Sequence, residues 1–71
     1  MKYKKLSKRE KEVLCLVADG HTNRQVAERL GIKIKTVETH RANIMNKLAL
    51  RNLSQLVKYA IREGFVKLEM N

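Results

Sequence analysis

The chain has no proline, no tryptophan, one cysteine and only 3 glycines in 71 residues. Without proline, no helix interior is broken by a missing N–H donor. No alternation of strand period runs beyond the last few residues, 65–71, where Val66, Leu68 and Met70 fall at alternate positions. Both absences favour an all-α fold. The single Cys15 cannot close an internal disulfide, which fits a reducing cytoplasm. Cys15, His21 and His40 fall short of four zinc ligands and lack C-x-x-C or H-x-x-x-H spacing, so no metal is expected. The longest apolar run, residues 13–18, is six residues. That is too short for a membrane helix or a signal h-region. There is no Gly-rich phosphate loop. No Ser, Cys or carboxylate stands immediately beside either histidine. Catalysis and a cofactor therefore have no support, and the chain does not read as an enzyme.

Acidic residues are also scarce. Lys and Arg number 16 against 7 Asp and Glu, a formal charge of +9. So dense a positive charge points to a polyanionic partner, nucleic acid first and an anionic membrane surface second. The length allows one small domain, residues 1–71, which buries only about 60% of its unfolded surface. A deep enclosed pocket is not expected.

Three capping signals divide the chain. Ser7 with Glu10 forms an S-x-x-E box ahead of an apolar run and predicts a first helix over about 8–18. Val13, Leu14, Val17 and Ala18 make its inner face, with Cys15 off centre. Thr22 with Gln25 forms a second box and predicts a helix over about 23–30, closed by Gly31. Ile32, Lys33 and Ile34 turn the corner into a third helix over about 35–48. Asn52, with Gln55 three residues on, starts a fourth over about 53–63, ended by Gly64. Its Leu53, Leu56, Val57, Ala60 and Ile61 recur at helical spacing. Four short amphipathic helices predict a compact bundle. The expected core is Leu14, Val17, Val26, Ala27, Leu30, Ile32, Val37, Ile44, Leu48, Leu56 and Ala60. The basic residues 1–5 read as a cut end or as an arm on phosphate.

The second and third helices, joined by a tight turn containing Gly, describe a helix-turn-helix. In that motif the second helix can lie in the DNA major groove while the first crosses the backbone. With Val37, Ile44 and Leu48 inward, Lys35, Glu38, Thr39, Ala42 and Asn46 line the outer face. A helix approaches base edges only if that face is uncrowded. Thr39 and Ala42 suit contact with a thymine methyl, and Glu38 could accept from cytosine N4. Lys35, Arg41 and Lys47 flank the stripe and reach towards phosphate. Thr22, Asn23 and Arg24, at the start of the second helix, offer backbone N–H groups and a positive dipole end for another phosphate. His40 lies on the flank between core and groove, either satisfied by a local partner or on phosphate.

Three blocks carry a resemblance: L-S-K-R-E-K-E-V-L from Leu6, G-H-T-N-R-Q-V-A-E-R-L from Gly20, and K-T-V-E-T-H-R-A-N-I-M-N-K-L from Lys35. In this order and spacing they closely resemble the LuxR-type helix-turn-helix domain, the output domain of NarL/FixJ-class response regulators and of quorum-sensing regulators. The resemblance covers about residues 6–64. It implies a four-helix fold, sequence-specific binding of duplex DNA in the cytoplasm, and a third helix in the major groove. It implies that the fourth helix often pairs two copies. By position, Glu38, Thr39 and Ala42 match the base-reading sites. Thr22, Asn23, Lys35, Thr36, His40, Arg41 and Lys47 match positions near phosphate. Two departures stand out. Relatives usually place Ser, as cap of the third helix, where this chain has Lys33. Several carry Lys where this chain has Glu38 and Ala42, so base preference does not transfer.

Such domains usually follow a receiver or ligand-binding domain. The chain reads either as an excised output domain or as a stand-alone regulator. Two competing readings remain at this level. One is a sigma-factor-like promoter-reading region. The other is a helical interaction module whose basic face meets an acidic protein.

Overall fold

The computed structural model describes residues 6–66. The basic arm at residues 1–5 and the positions of Leu68 and Met70 lie outside them. Four helices follow in order: α1 Lys8–Ala18, α2 Asn23–Leu30, α3 Ile34–Leu48 and α4 Leu53–Arg62. Among the described residues there is no strand. The all-α, four-helix architecture is the one expected.

The helix starts follow the capping chemistry. At α1, Glu10 N–H donates to Ser7 Oγ at 3.1 Å, and Ser7 N–H donates to Glu10 Oε1 at 2.8 Å. At α2, Gln25 N–H donates to Thr22 Oγ1 and Thr22 N–H to Gln25 Oε1. Each box thus satisfies donors that a helix start leaves orphaned. At α4, Asn52 Oδ1 accepts from Gln55 N–H at 2.9 Å, but the Gln55 side chain reaches back to Arg51 N–H at 2.7 Å. The cap is present; the reciprocal bond falls one residue early.

The turn between α2 and α3 depends on Gly31, at φ 68 and ψ 36. There it presents its own N–H and that of Ile32 to the Ala27 carbonyl. A left-handed residue at this point lets the chain reverse without a Cβ penalty. Lys33 then caps α3 with no side-chain hydrogen bond. The departure read in the sequence is a physical one, and α3 begins at Ile34, a residue earlier than expected. Its far end closes on Ala49, which adopts φ 56 without being glycine.

The core is Leu6, Val13, Leu14, Val17, Val26, Ala27, Val37, Ile44, Leu48, Leu56, Tyr59 and Ala60. Leu30 and Ile32, expected inside, are half-buried against its edge, because they sit where α2 ends and the chain turns. Leu6 and Tyr59 enter in addition. Tyr59 stacks on Phe65 with ring centroids 6.4 Å apart, and the Arg62 guanidinium lies 5.8 Å from its ring centre. With Leu56, Tyr59 and Ala60 inward, the buried face of α4 centres on that side. Leu53 is therefore 50% exposed, and Val57 and Ile61 are half-buried along the same flank.

Candidate nucleic-acid interface

α3 packs against both α1 and α2. Val37, Ile44 and Leu48 anchor its inner side. The opposite side then faces out by helical geometry. Lys35, Glu38, Thr39, Ala42, Asn43 and Asn46 are all exposed. The face is low in relief, because Thr39 and Ala42 occupy its middle. Thr39 Oγ donates to the Lys35 carbonyl at 3.2 Å. That bond within the helix spends the hydroxyl proton. What Thr39 can offer a ligand is its methyl group and oxygen lone pairs.

The flanking residues are held differently. Arg41 Nη1 donates to Asn23 Oδ1 at 2.7 Å, joining the middle of α3 to the first residue of α2. This draws a permanent positive charge to a helix N-terminus. Thr22 Oγ1 already occupies the Gln25 N–H, and Val26 N–H bonds to the Thr22 carbonyl. The first N–H groups of a helix have no partner inside it, and here those are the N–H groups of Asn23 and Arg24. Arg24 is exposed, and Thr36 and His40 are half-buried. Among the described residues, no hydrogen bond holds the His40 ring.

Lys47 stands apart from the other cations of α3. Its Nζ lies 2.8 Å from Glu10 Oε1, and its side chain is 29% exposed against 6% for Glu10. The pair spans 37 residues of sequence and ties the end of α3 to the start of α1. The Lys47 hydrogen bond holds the Glu10 carboxyl below its ordinary value, and the Ser7 N–H adds to the effect. Sequence reading found Glu10 as a cap and Lys47 as a surface cation. Nothing local in the chain links the two.

The other titratable groups form no reactive cluster. His21 Nδ1 is 3.0 Å from the Leu16 carbonyl, where it closes the end of α1. Cys15 is half-buried, and burial pushes its thiol up, away from the reactive thiolate. Among the described residues, no three His, Cys, Asp or Glu side chains gather where they could hold a metal ion. No helix among them is long and apolar enough to cross a membrane.

The sequence and the fold that carry this arrangement match a known group. Residues 4–60 fit the family described as bacterial regulatory proteins, luxR family. The chain belongs to that family. It is similar to the oxygen regulatory protein NreC of Staphylococcus aureus, at 48% identity over 65 residues, 92% of this chain and 30% of that protein. It also superposes on VqmA of Vibrio cholerae. A structure of a VqmA–ligand–DNA complex matches with a TM-score of 0.79 and 37% identity, covering 92% of this chain and 29% of that one. The response regulator ChrA, of a heme-sensing two-component system, matches with a TM-score of 0.79 and 33% identity, covering 93% and 33%. The chain thus spans about 30% of the length of the curated relatives it matches. Membership gives it the helix-turn-helix of bacterial regulatory proteins, as its residues had suggested.

Proposed function

We propose that α3 enters the major groove of duplex DNA and reads sequence there for a cytoplasmic transcription regulator. Glu38, Thr39 and Ala42 lie at base edges in this reading. Thr22, Asn23, Arg24, Lys35, Thr36, His40 and Arg41 lie on phosphate. The observation that carries it is the Arg41–Asn23 bond beside the exposed Thr39–Ala42 face. One contact surface then offers both an anion site and a flat reading helix. The DNA complex of the similar VqmA supports the same reading.

One such domain spans only a short half-site. We therefore propose that two copies pair on DNA through α4, reading half-sites about 10 bp apart or a multiple of that. The Leu53, Val57 and Ile61 flank suits the pairing better than Lys58 and Arg62 do. It is apolar and partly exposed, whereas Arg62 is drawn over Tyr59.

Selection of bound sequences from a random duplex pool tests the function and returns the site. Recovery of one motif in two symmetric halves is the expected result. Binding of every polyanion alike would leave only a basic interaction module. Affinity for the selected duplex should fall with salt, with a log–log slope of about −0.9 per phosphate neutralised. Four to six contacts per protomer would make that slope steeper than about −3. Sedimentation should show a monomer free in solution and two protomers per optimal site.

A further inference from the structure

α3 is tied on both flanks. Arg41 bonds to Asn23 on α2, and Lys47 bonds to Glu10 on α1. Six residues apart on a helix places these two cations about 120° apart around its axis. Val37, Ile44 and Leu48 sit between them, facing the core. Close-packed apolar contacts of this kind set the crossing angle of the helix to within roughly 15–20° of scatter. Directional polar bonds on either side narrow that range.

Lys47 was expected on phosphate, both from its place beside the outer stripe of α3 and from the family pattern. Its ammonium is instead directed at a carboxylate that is nearly inaccessible to water. An ion pair with one buried partner is held in one geometry, because a carboxylate left unpaired there is costly. Glu10 is itself fixed, since the same Oε1 accepts from Ser7 N–H at the first turn of α1. The lever is long. Lys47 lies eight residues beyond Thr39, about 12 Å along the axis. With Arg41 still tied to Asn23, a tilt of about 5° moves the Lys47 end, about 9 Å away, by about 0.8 Å and turns the Thr39 face through the same angle, enough to spoil base contacts.

We infer that the Glu10–Lys47 pair is a positioning device, fixing the pitch at which α3 meets DNA, and that Lys47 acts on DNA through Glu10 rather than through a phosphate. This rests on the proposal that α3 reads duplex DNA. It adds a residue on α1, remote from the exposed face, to those that determine sequence preference.

The two roles of Lys47 leave different signatures. A phosphate ligand contributes to every duplex and to the salt slope. A positioning residue contributes to the best site and not to random DNA. The test compares binding of the full chain to the duplex recovered by selection and to a scrambled duplex of equal length. The variants are Lys47→Met, Lys47→Arg and Glu10→Gln. Gln can still complete the capping box, so Glu10→Gln breaks the ion pair while keeping the start of α1. Ser7→Ala is the stability control, weakening the cap while leaving the Lys47 hydrogen bond, the main hold on the Glu10 carboxyl, in place. All are measured well below their own melting temperatures, with helicity checked by circular dichroism.

Lys47→Met and Glu10→Gln should each weaken the selected duplex about tenfold, the size of one good base contact. Scrambled duplex and salt slope should be unchanged. Lys47→Arg should recover most of the preference, and Ser7→Ala should keep it whole. The double variant Lys47→Met with Glu10→Gln should cost no more than either alone, because both break one link. The inference is overturned if Lys47→Met weakens both duplexes equally and reduces the salt slope by about 1, the mark of a phosphate contact. It is equally overturned if Glu10→Gln leaves the preference intact. If the unaltered chain itself prefers no duplex, it is the reading of DNA by α3 that fails, a different result from either.

Discussion

Arg41 Nη1 sits 2.7 Å from Asn23 Oδ1, so α3 and the start of α2 share a single guanidinium. The bond is between a charged donor and a neutral acceptor. It orients the cation without cancelling its charge. A phosphate arriving at the N-terminus of α2 would meet backbone N–H groups and an Arg fork already in place. Asn23→Asp tests this. The new carboxylate would neutralise Arg41 and repel phosphate. It would also sit in the first turn of α2, where negative charge stabilises a helix by about 0.3–1 kcal/mol. Melting temperature should hold or rise while all duplexes bind more weakly, with the salt slope shallower by about 1. Equal DNA affinity in the variant would remove this site from the interface.

Position and specificity can be separated on α3 itself. Lys35 is exposed at the entrance of the helix, and Thr39 lies one turn on with its hydroxyl proton spent on the Lys35 carbonyl. Lys35→Ala should weaken every duplex by a similar factor. Thr39→Ala should fall mainly on the best site, by about 1–3 kcal/mol. Thr39→Val keeps a methyl where Thr39→Ser loses it. If a thymine methyl is the target, the Val variant should retain more preference than the Ser variant. Titrations against matched and scrambled duplex read this directly. Loss shared equally by both duplexes on Thr39→Ala would show that bases are not read through this face.

Much of this was legible in the chain because its signals are local. Ser7 with Glu10 and Thr22 with Gln25 lie three residues apart, and the helices start where those pairs put them. Gly31 marks the turn for the same reason. The outer face of α3 followed from the positions of Val37, Ile44 and Leu48. What the chain hid is non-local or depends on packing. Glu10 and Lys47 are far apart in sequence, and no periodicity relates a cap to a cation on another helix. Tyr59 carries a hydroxyl and did not join the apolar stripe of α4. It is buried against Phe65, so the inner face of α4 centres on Leu56, Tyr59 and Ala60, and Leu53 lies outside. Leu30 and Ile32 have the right side chains for a core but sit at its rim, where the chain must reverse.

Both ends of α3 leave stability unclaimed. Lys33 supplies no cap, and Ala49 holds a left-handed conformation. Lys33→Ser would let a hydroxyl accept from the first turn, worth about 1 kcal/mol. Ala49→Gly would remove the Cβ penalty of the left-handed region, about 1–2 kcal/mol. The sites are at opposite ends of the helix and should add. At about 4–8 °C per kcal/mol for a domain of this size, and less the freedom that glycine adds to the unfolded chain, the double variant should melt about 4 °C higher or more. A thermal melt followed at the helical band checks it. An unchanged midpoint for Ala49→Gly would mean that gain is offset by the extra freedom of glycine in the unfolded chain.

Glu10 should make the fold acid-sensitive in a defined window. Its carboxyl is held below the ordinary value of 4.5, chiefly by the Lys47 hydrogen bond. The unfolded chain therefore takes up this proton before the folded one does. Stability from the group is fully present above 4.5 and is lost as pH falls through the lower folded value. Above 4.5 this group gives no slope, because it is ionised in both states. Glu10→Gln has no such proton to bind, so its stability should depend less on pH below 4.5 than that of the unaltered chain. The two curves should run parallel above that pH and converge below it. Midpoints in urea at a series of pH values, with Lys47→Met as a third curve, measure the effect. Because Lys47 is the largest cause of the depression, Lys47→Met should flatten the acid limb much as Glu10→Gln does. If Lys47→Met keeps the full acid dependence, the carboxylate is held by the Ser7 N–H rather than by the lysine, and the tie between α1 and α3 is weaker than its 2.8 Å length implies.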